Sequence, residues 1–320
     1  MLSLKRLLSR TLPLWAMLTA PTLAWAQTAP ETFGRPTTVP VNVFDGSAST
    51  DTMFNFVTWL TLSVLVAVLI TLVIFAVKYR YQPGRRSIFI HGNNALESVW
   101  TLIPTIILAV IAVLSQDSWS QMKNPPVNPP DEPIRVRIIA MQFKWFFQYP
   151  GPDGEFGRLD VTRMNIKSSD VKEQAGLDPT DPASADDIIV GQLVVPKDRT
   201  VIADMISIDV IHSFFLPNFR IKQDAVPGMT TRVWLRSNKT SAEVVGTNPN
   251  QPLATYTADG EEVVITDAKP FDIVCAELCG NGHYTMRGLL YVVSEQQYNQ
   301  FLEIEYAAAA AGGEDDGYGY

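Results

Sequence analysis

Residues 56–77 read FVTWLTLSVLVAVLITLVIFAV, 22 positions without a charge. A bilayer core takes about 20 apolar residues of helix, so this run predicts a membrane-spanning segment. Ser98–Gln116 adds a second run of 19 uncharged residues, with Pro104 inside it. The short segment between them carries Lys78, Arg80, Arg85 and Arg86 and, apart from Glu97 at the edge of the second run, no acid. Short cationic loops stay on the cytoplasmic side, so the two runs predict a helical hairpin with both mature ends outside. The same charge bias argues against a hairpin buried in a soluble core.

The N-terminus agrees with that orientation. Lys5, Arg6 and Arg10 precede an apolar stretch from Leu12 to Leu23, and Ala24-Trp25-Ala26 follows it. This is the form of a secretory signal cleaved before Gln27. Export would place the later domain in an oxidising compartment. The net charge of −8 argues against nucleic acid and for a basic partner.

Beyond the hairpin the pattern changes. Lys123-Asn-Pro-Pro-Val-Asn-Pro-Pro130 reads as a stiff linker. From Ile134, apolar residues alternate with Arg135 and Arg137. Gly191–Pro196, Thr200–Ile211, Thr231–Leu235, Phe271–Val274 and Gly288–Val293 are further short β-rich runs. Such runs, punctuated by Pro and Gly, predict a β-sandwich or barrel. Ser294-Glu-Gln-Gln297 has the form of a capping box and opens a closing helix with Tyr298, Phe301 and Leu302 facing inward. The expected organisation is a signal peptide (1–26), an outer N-terminal segment (27–52), the hairpin (53–120), the linker (121–133), a β domain (134–306) and a disordered acidic tail (307–320).

The chemistry concentrates in Cys275-Ala-Glu-Leu-Cys279-Gly-Asn-Gly-His283-Tyr-Thr-Met286. The chain has two cysteines and three histidines, and this loop holds both cysteines and one histidine. His212 lies upstream, at the expected end of a strand. Thiolate, imidazole and thioether are ligands that suit copper. A single blue-copper ion would leave one Cys over, and structural zinc would leave Met286 without a role. Two copper ions bridged by Cys275 and Cys279, each capped by a histidine, use every group. Met286 and the Glu277 carbonyl then add weak ligands. A Cys275–Cys279 disulfide is the competing reading in an oxidising compartment.

These features together resemble subunit II of the haem–copper cytochrome c oxidases. The loop has the C-x3-C-x3-H-x2-M form of that family's dinuclear CuA motif. Leu216–Gly228, with its Lys-x-Asp-Ala-x-Pro-Gly, is similar to the family's segment after the first histidine, and Leu96–Pro104 to the start of its second helix. The resemblance implies a two-helix transmembrane hairpin plus an all-β, cupredoxin-like sandwich or barrel domain. It implies CuA ligation by His212, Cys275, Glu277 (through its carbonyl), Cys279, His283 and Met286. It also implies a magnesium ion shared with subunit I through the Glu277 side chain, and a proton-channel entrance at Glu97. An acid at a helix N-terminus is favourable in any case. Of the rings in Phe143–Tyr149, the resemblance assigns Trp145 to receive the electron from cytochrome c; a shift of two residues puts Phe143 there instead.

The implied setting is a bacterial inner membrane, with subunit I and further oxidase subunits as partners. No C-x-x-C-H occurs, so no covalent haem is expected on this chain. Quinol-oxidase relatives lack the two cysteines, so cytochrome c is the expected donor. Nitrous oxide reductase has a similar copper loop but needs a histidine-rich propeller that three histidines cannot supply. Two stretches look like insertions: Gly151–Asp187, within an acid-rich run, and Thr240–Asp267. Both are expected as surface loops, the first also as a docking face for a basic cytochrome.

Overall fold

In a computed structural model of the chain, the described residues are 40–310 apart from 87, 88, 90, 169, 249–252, 259 and 260. The signal peptide and residues 311–320 lie outside them.

Two long helices come first, α1 (Ala48–Lys78) and α2 (Asn94–Lys123). Both are apolar on every side, and their Val, Ile, Leu and Phe side chains are exposed along the uncharged runs. A helix with no polar face has no preferred side to turn toward water, which is the pattern of a lipid-facing span. Asn93 caps α2 by accepting from the Ala95 and Leu96 amides. Glu97 sits in the first turn and Pro104 inside the helix. At the other end the helices meet through Thr50 and Ser118, whose hydroxyls lie 2.9 Å apart. There they also join the β domain. Arg220 Nε donates to Asp51 Oδ1 at 2.8 Å, and Lys123 Nζ to Gln223 Oε1 at 2.5 Å. The linker is shorter than expected, because α2 runs on to Lys123.

Twelve strands are described: β1 (Ile134–Met141), β2 (Lys144–Tyr149), β3 (Ile188–Val190), β4 (Gln192–Pro196), β5 (Val201–Ser207), β6 (His212–Leu216), β7 (Ile221–Ala225), β8 (Thr231–Leu235), β9 (Leu253–Ala258), β10 (Glu261–Thr266), β11 (Phe271–Cys275) and β12 (Arg287–Val293). They form two five-stranded sheets, ordered β3-β2-β1-β5-β8 and β4-β12-β11-β6-β7, and a separate β9–β10 pair. β1 runs parallel to β5, and β4 to β12; the other pairs are antiparallel. Val136, Ile138, Phe147, Ala203 and Met205 of the first sheet share one core with Leu193, Phe214, Ile273 and Leu290 of the second. The expected β-sandwich is present, with the cupredoxin-like layering of two facing sheets.

Three details differ from expectation. The run Thr200–Ile211 is not one strand. Ser207 Oγ donates to the Val210 carbonyl and the Val210 amide to Asp209 Oδ1. Those side-chain bonds replace the ladder, a role to which Ser and Asp are suited. His212 therefore opens β6 instead of closing the strand before it. The tail is helical as far as Ala310, in α5 (Glu295–Ala310), which opens with the expected Ser294–Gln297 box and turns Tyr298 and Phe301 inward.

The third concerns 151–187, expected as a solvated loop. It covers the outer face of the first sheet, including the short helix α3 (Val171–Ala175). Val171, Ala175 and Leu177 pack there on Ile139, Met141 and Phe146 in a second small core. Its acids hold the chain in place. Asp160, Asp170 and Asp181 cap short helical turns, and Arg158 and Arg163 bind Asp178. In the other stretch, Thr240 and Glu243 form a capping box for α4 (Ser241–Val245), ahead of the β9–β10 hairpin.

Candidate metal centre

Antiparallel pairing of β11 with β6 sets Cys275 opposite Phe214, two residues from His212. The chain then leaves the sheet as a loop and returns at Arg287. The loop is tied at both ends: the Ala276 amide donates to the Ser213 carbonyl at 2.9 Å, and the Cys275 amide to the Met286 carbonyl at 3.3 Å. Gly280 sits inside it at φ +134°, where a side chain would strain the backbone.

This closure gathers the expected ligands. Cys275 Sγ lies 3.9 Å from Cys279 Sγ, 3.9 Å from His212 Nδ1 and 3.2 Å from the Glu277 carbonyl oxygen. Cys279 Sγ lies 3.5 Å from His283 Nδ1 and 3.8 Å from Met286 Sδ. Both cysteines are free thiols, so the disulfide is not the arrangement this structure adopts. Ligand atoms of His212, Cys275 and Cys279 all fall within 4.8 Å of one another. His212, Cys279 and Met286 are buried, whereas His283 and Cys275 are half-buried. A buried set of two sulfurs, two imidazoles and a thioether fits a soft or borderline metal, with more donors than tetrahedral zinc needs.

The surroundings orient the donors. Asp209 Oδ1 is 2.8 Å from His212 Nε2. A carboxylate only accepts, so Nε2 carries the proton and Nδ1 keeps its lone pair toward Cys275. Burial pulls the His212 pKa down, but bonds to Cys275 and Asp209 outweigh it and leave it raised. Burial also pushes both thiols up. At Cys275 the bonds from His212 and the Ser213 amide overcome this and lower the pKa, whereas at Cys279 the neighbouring Cys275 charge adds to it.

The turn between β1 and β2 supplies a second support. The Gln142 amide donates to Asp209 Oδ2 at 2.6 Å, and the Gln142 side chain to the Cys279 carbonyl at 2.5 Å. The Phe143 ring fills the space beside Gly280 and Gly282, where a Cβ at Gly282 would come within 2.5 Å of it. Trp145 is only 2% exposed and lies beneath His212, with ring centres 6.1 Å apart. It is an internal neighbour of the site, while Phe143 is the half-buried ring against the loop.

Glu277 exposes its side chain at the loop surface. Glu97 is not part of this cluster. It lies 26 residues from Lys123 on α2, about 39 Å at 1.5 Å per residue. Asp209 and Gln142 complete the site and were not singled out from sequence, whereas Phe143 was named only as the alternative to Trp145. For Asp209, the signal was an acid three residues ahead of a ligand histidine.

Two helices long and apolar enough to cross a membrane, followed by a two-sheet β domain with a candidate soft-metal site at one loop end, are the class of protein that fold and site define. Two family models match the chain: the transmembrane domain of cytochrome c oxidase subunit II over residues 46–117, and its periplasmic domain over 134–246. The second match includes His212 and stops short of Cys275. The chain is 31% identical over 267 residues to the alternative cytochrome c oxidase subunit 2 of Bradyrhizobium diazoefficiens, covering 82% of each chain. It is 27% identical over 300 residues to cytochrome c oxidase subunit 2 of Cereibacter sphaeroides, covering 90% of this chain and 87% of that one. The crystal structure of the periplasmic domain of subunit II of cytochrome oxidase of Bradyrhizobium japonicum superposes with a TM-score of 0.34 at 21% identity, covering 56% of this chain and 98% of that one.

The chain belongs to the cytochrome c oxidase subunit II family. It is accordingly a subunit of an oxidase complex, with other oxidase subunits as partners. Its two apolar helices and periplasmic-domain match fit an inner-membrane protein whose β domain faces the periplasm.

Proposed function

We propose that this chain admits electrons to a respiratory oxidase. It takes them from cytochrome c at a dinuclear CuA site and passes them toward haem in subunit I, where oxygen is reduced to water with proton translocation. The observation that carries this reading is the convergence of Cys275, Cys279, His212, His283 and Met286, with successive donor contacts of 3.5–3.9 Å. The Glu277 carbonyl, 3.2 Å from Cys275 Sγ, completes the ligand set. Copper bound there supplies a one-electron couple.

The chain's own residues do the rest. Asp209 and the β1–β2 turn hold the donors in place, which keeps reorganisation small as charge comes and goes. Leu278 and Tyr284 are exposed on the same loop and offer an apolar contact to the donor. The net charge of −8 favours a basic cytochrome, with an attraction that weakens as salt rises. Phe143, against the loop, and Trp145, beneath His212, line the inward path for the electron. The exposed Glu277 carboxylate is available for a magnesium ion shared with subunit I, and Glu97 marks the proton entrance at the cytoplasmic end of α2. Both mature ends lie on the periplasmic side.

Copper analysis of the purified complex tests this. Two coppers assigned to this chain, with a mixed-valence spectrum lost in Cys279→Ser, are expected, and that variant should not oxidise cytochrome c. Near-normal turnover in Cys279→Ser, or a chain that takes up no copper, refutes the reading.

A further inference from the structure

A cavity of about 820 Å³ lies where the outer ends of α1 and α2 meet the β domain, with Lys222 of β7 two strands across the sheet from the Cys275 end of β11. At the domain end Lys123, Arg220, Lys222 and Arg232 stand among apolar side chains, Val233 and Trp234 included; farther along the helices come Phe54 and Val57. Cations gathered at one end and apolar side chains alone at the other suit a phosphate and an acyl chain.

The cations are not equally free. Arg220 is paired with Asp51, and Arg232 with Asp204. Among the described residues, Lys123 and Lys222 have no carboxylate within 4.0 Å. The Lys123 ammonium meets only the neutral Gln223 side chain and the Trp119 ring, and the Lys222 ammonium sits over the Phe215 ring at 4.5 Å. Two unneutralised ammonium groups at the mouth of a largely apolar cavity call for an anionic head on an apolar body. Trp119, exposed on the last turns of α2, marks the height of the membrane–water boundary, where tryptophan concentrates. The volume is within the ~300–1,000 Å³ range of small-ligand sites.

We infer that this cavity binds one anionic phospholipid of the outer leaflet, its phosphate between Lys123 and Lys222 and an acyl chain along Phe54 and Val57. The inference rests on α1 and α2 crossing the membrane and is independent of the copper reading.

The test uses the purified complex, delipidated and then titrated with phosphatidylglycerol or phosphatidylcholine of the same chain length. Retained lipid is counted by mass spectrometry. The difference between wild type and Lys123→Gln/Lys222→Gln isolates this cavity from lipids held elsewhere. Wild type should retain one more phosphatidylglycerol per chain than the double variant, and the variant's affinity should be about 30-fold weaker. Val57→Trp, which fills the apolar end and leaves the lysines, should lower retention as well, with copper content unchanged in both variants. Equal retention of the two lipids in wild type, or retention unaffected by the double variant, overturns the inference. So does full displacement by inorganic phosphate, which would make the site one for a bare anion. A cross-link from Lys222 to another subunit in lipid-free complex would show protein filling the space and would also overturn it.

Discussion

Replacing Asp209 by Asn changes one atom and removes one charge beside His212. Asp209 Oδ1 serves His212 Nε2 at 2.8 Å and the Val210 amide at 2.6 Å, while Oδ2 accepts from the Gln142 amide at 2.6 Å. An amide oxygen can serve the first two donors, but its NH2 then faces the Gln142 N–H, which loses its acceptor. Hydrogen bonds to a charged group contribute about 1.5–3 kcal/mol, against about 0.5–1.5 for neutral ones, so the His212 bond weakens by about 1 kcal/mol. The Gln142 amide is exposed, so water replaces its lost acceptor and it adds little. The weakened His212 bond alone corresponds to roughly 5-fold in an equilibrium constant. Loss of a hydrogen-bond partner to a metal-bound histidine costs about 10–100-fold in metal affinity.

The assay is competition for copper between the full-length chain in detergent and a chelator of known affinity, followed by the copper absorption band. Asp209→Asn should lose 10–100-fold in affinity, while the metal-free chain keeps its secondary structure and melts within a few degrees of wild type. Affinity within twofold of wild type would show that Asp209 does not orient His212. A drop in metal-free stability large enough to account for the whole loss would make its role purely structural.

Three further outcomes follow from the coordinates. Tyr149→Phe removes a buried hydroxyl that donates to the Val194 carbonyl and accepts from the Val194 amide, both at 2.8 Å; two stranded backbone groups should cost about 2–4 kcal/mol, read from the shift in urea midpoint. Burial raises the Asp187 carboxyl above its ordinary value, ahead of the bonds from Gly157 and Gln148 that lower it. The folded state therefore holds that proton to higher pH than the unfolded state, and stability falls as pH rises from the ordinary value, about 3.9, through the raised one. Asp187→Asn removes this dependence, so melting curves should show its stability relative to wild type greater at neutral pH than in acid; a pH-independent difference would contradict it. Finally, His283 is half-buried and His212 fully buried, so added imidazole should restore copper binding to His283→Gly more than to His212→Gly, as judged by the absorption band.

Much of the fold was legible because its signals are local. A run of 22 residues without a charge can do little but cross a membrane, and Arg135 and Arg137 mark the outer face of β1 by simple alternation. The strands β4 and β12 are buried almost throughout and show no period, so only their lengths and flanking glycines and prolines gave them away. The internal order of 151–187, expected only as a surface loop, was hidden for a different reason. Its acids suggested solvation by number alone. Their positions, one residue ahead of short helical turns, carried the better signal, because an Asp side chain there satisfies the free amides of the turn.

The site divides along the same line. Cys275, Cys279, His283 and Met286 could be read together because they share one loop, and His212 because a soft ligand set with one imidazole is incomplete. Gln142 had no such cue, and Phe143 only that of a ring near Trp145. They reach the loop from 137 positions away, through a side-chain bond to the Cys279 carbonyl and a ring against Gly280 and Gly282. The two glycines are the trace they leave in the loop itself: a side chain at Gly282 would collide with Phe143, and one at Gly280 would also need a strained backbone. The ligand loop is thus shaped from outside as much as from within. Asp209 grips the β1–β2 turn through the Gln142 amide, and the turn grips the loop, so one carboxylate sets the position of His212 and, through Gln142, of Cys279. That connection makes Asp209 a more informative place to perturb the centre than any ligand, since it moves both halves of the site without removing a donor from either.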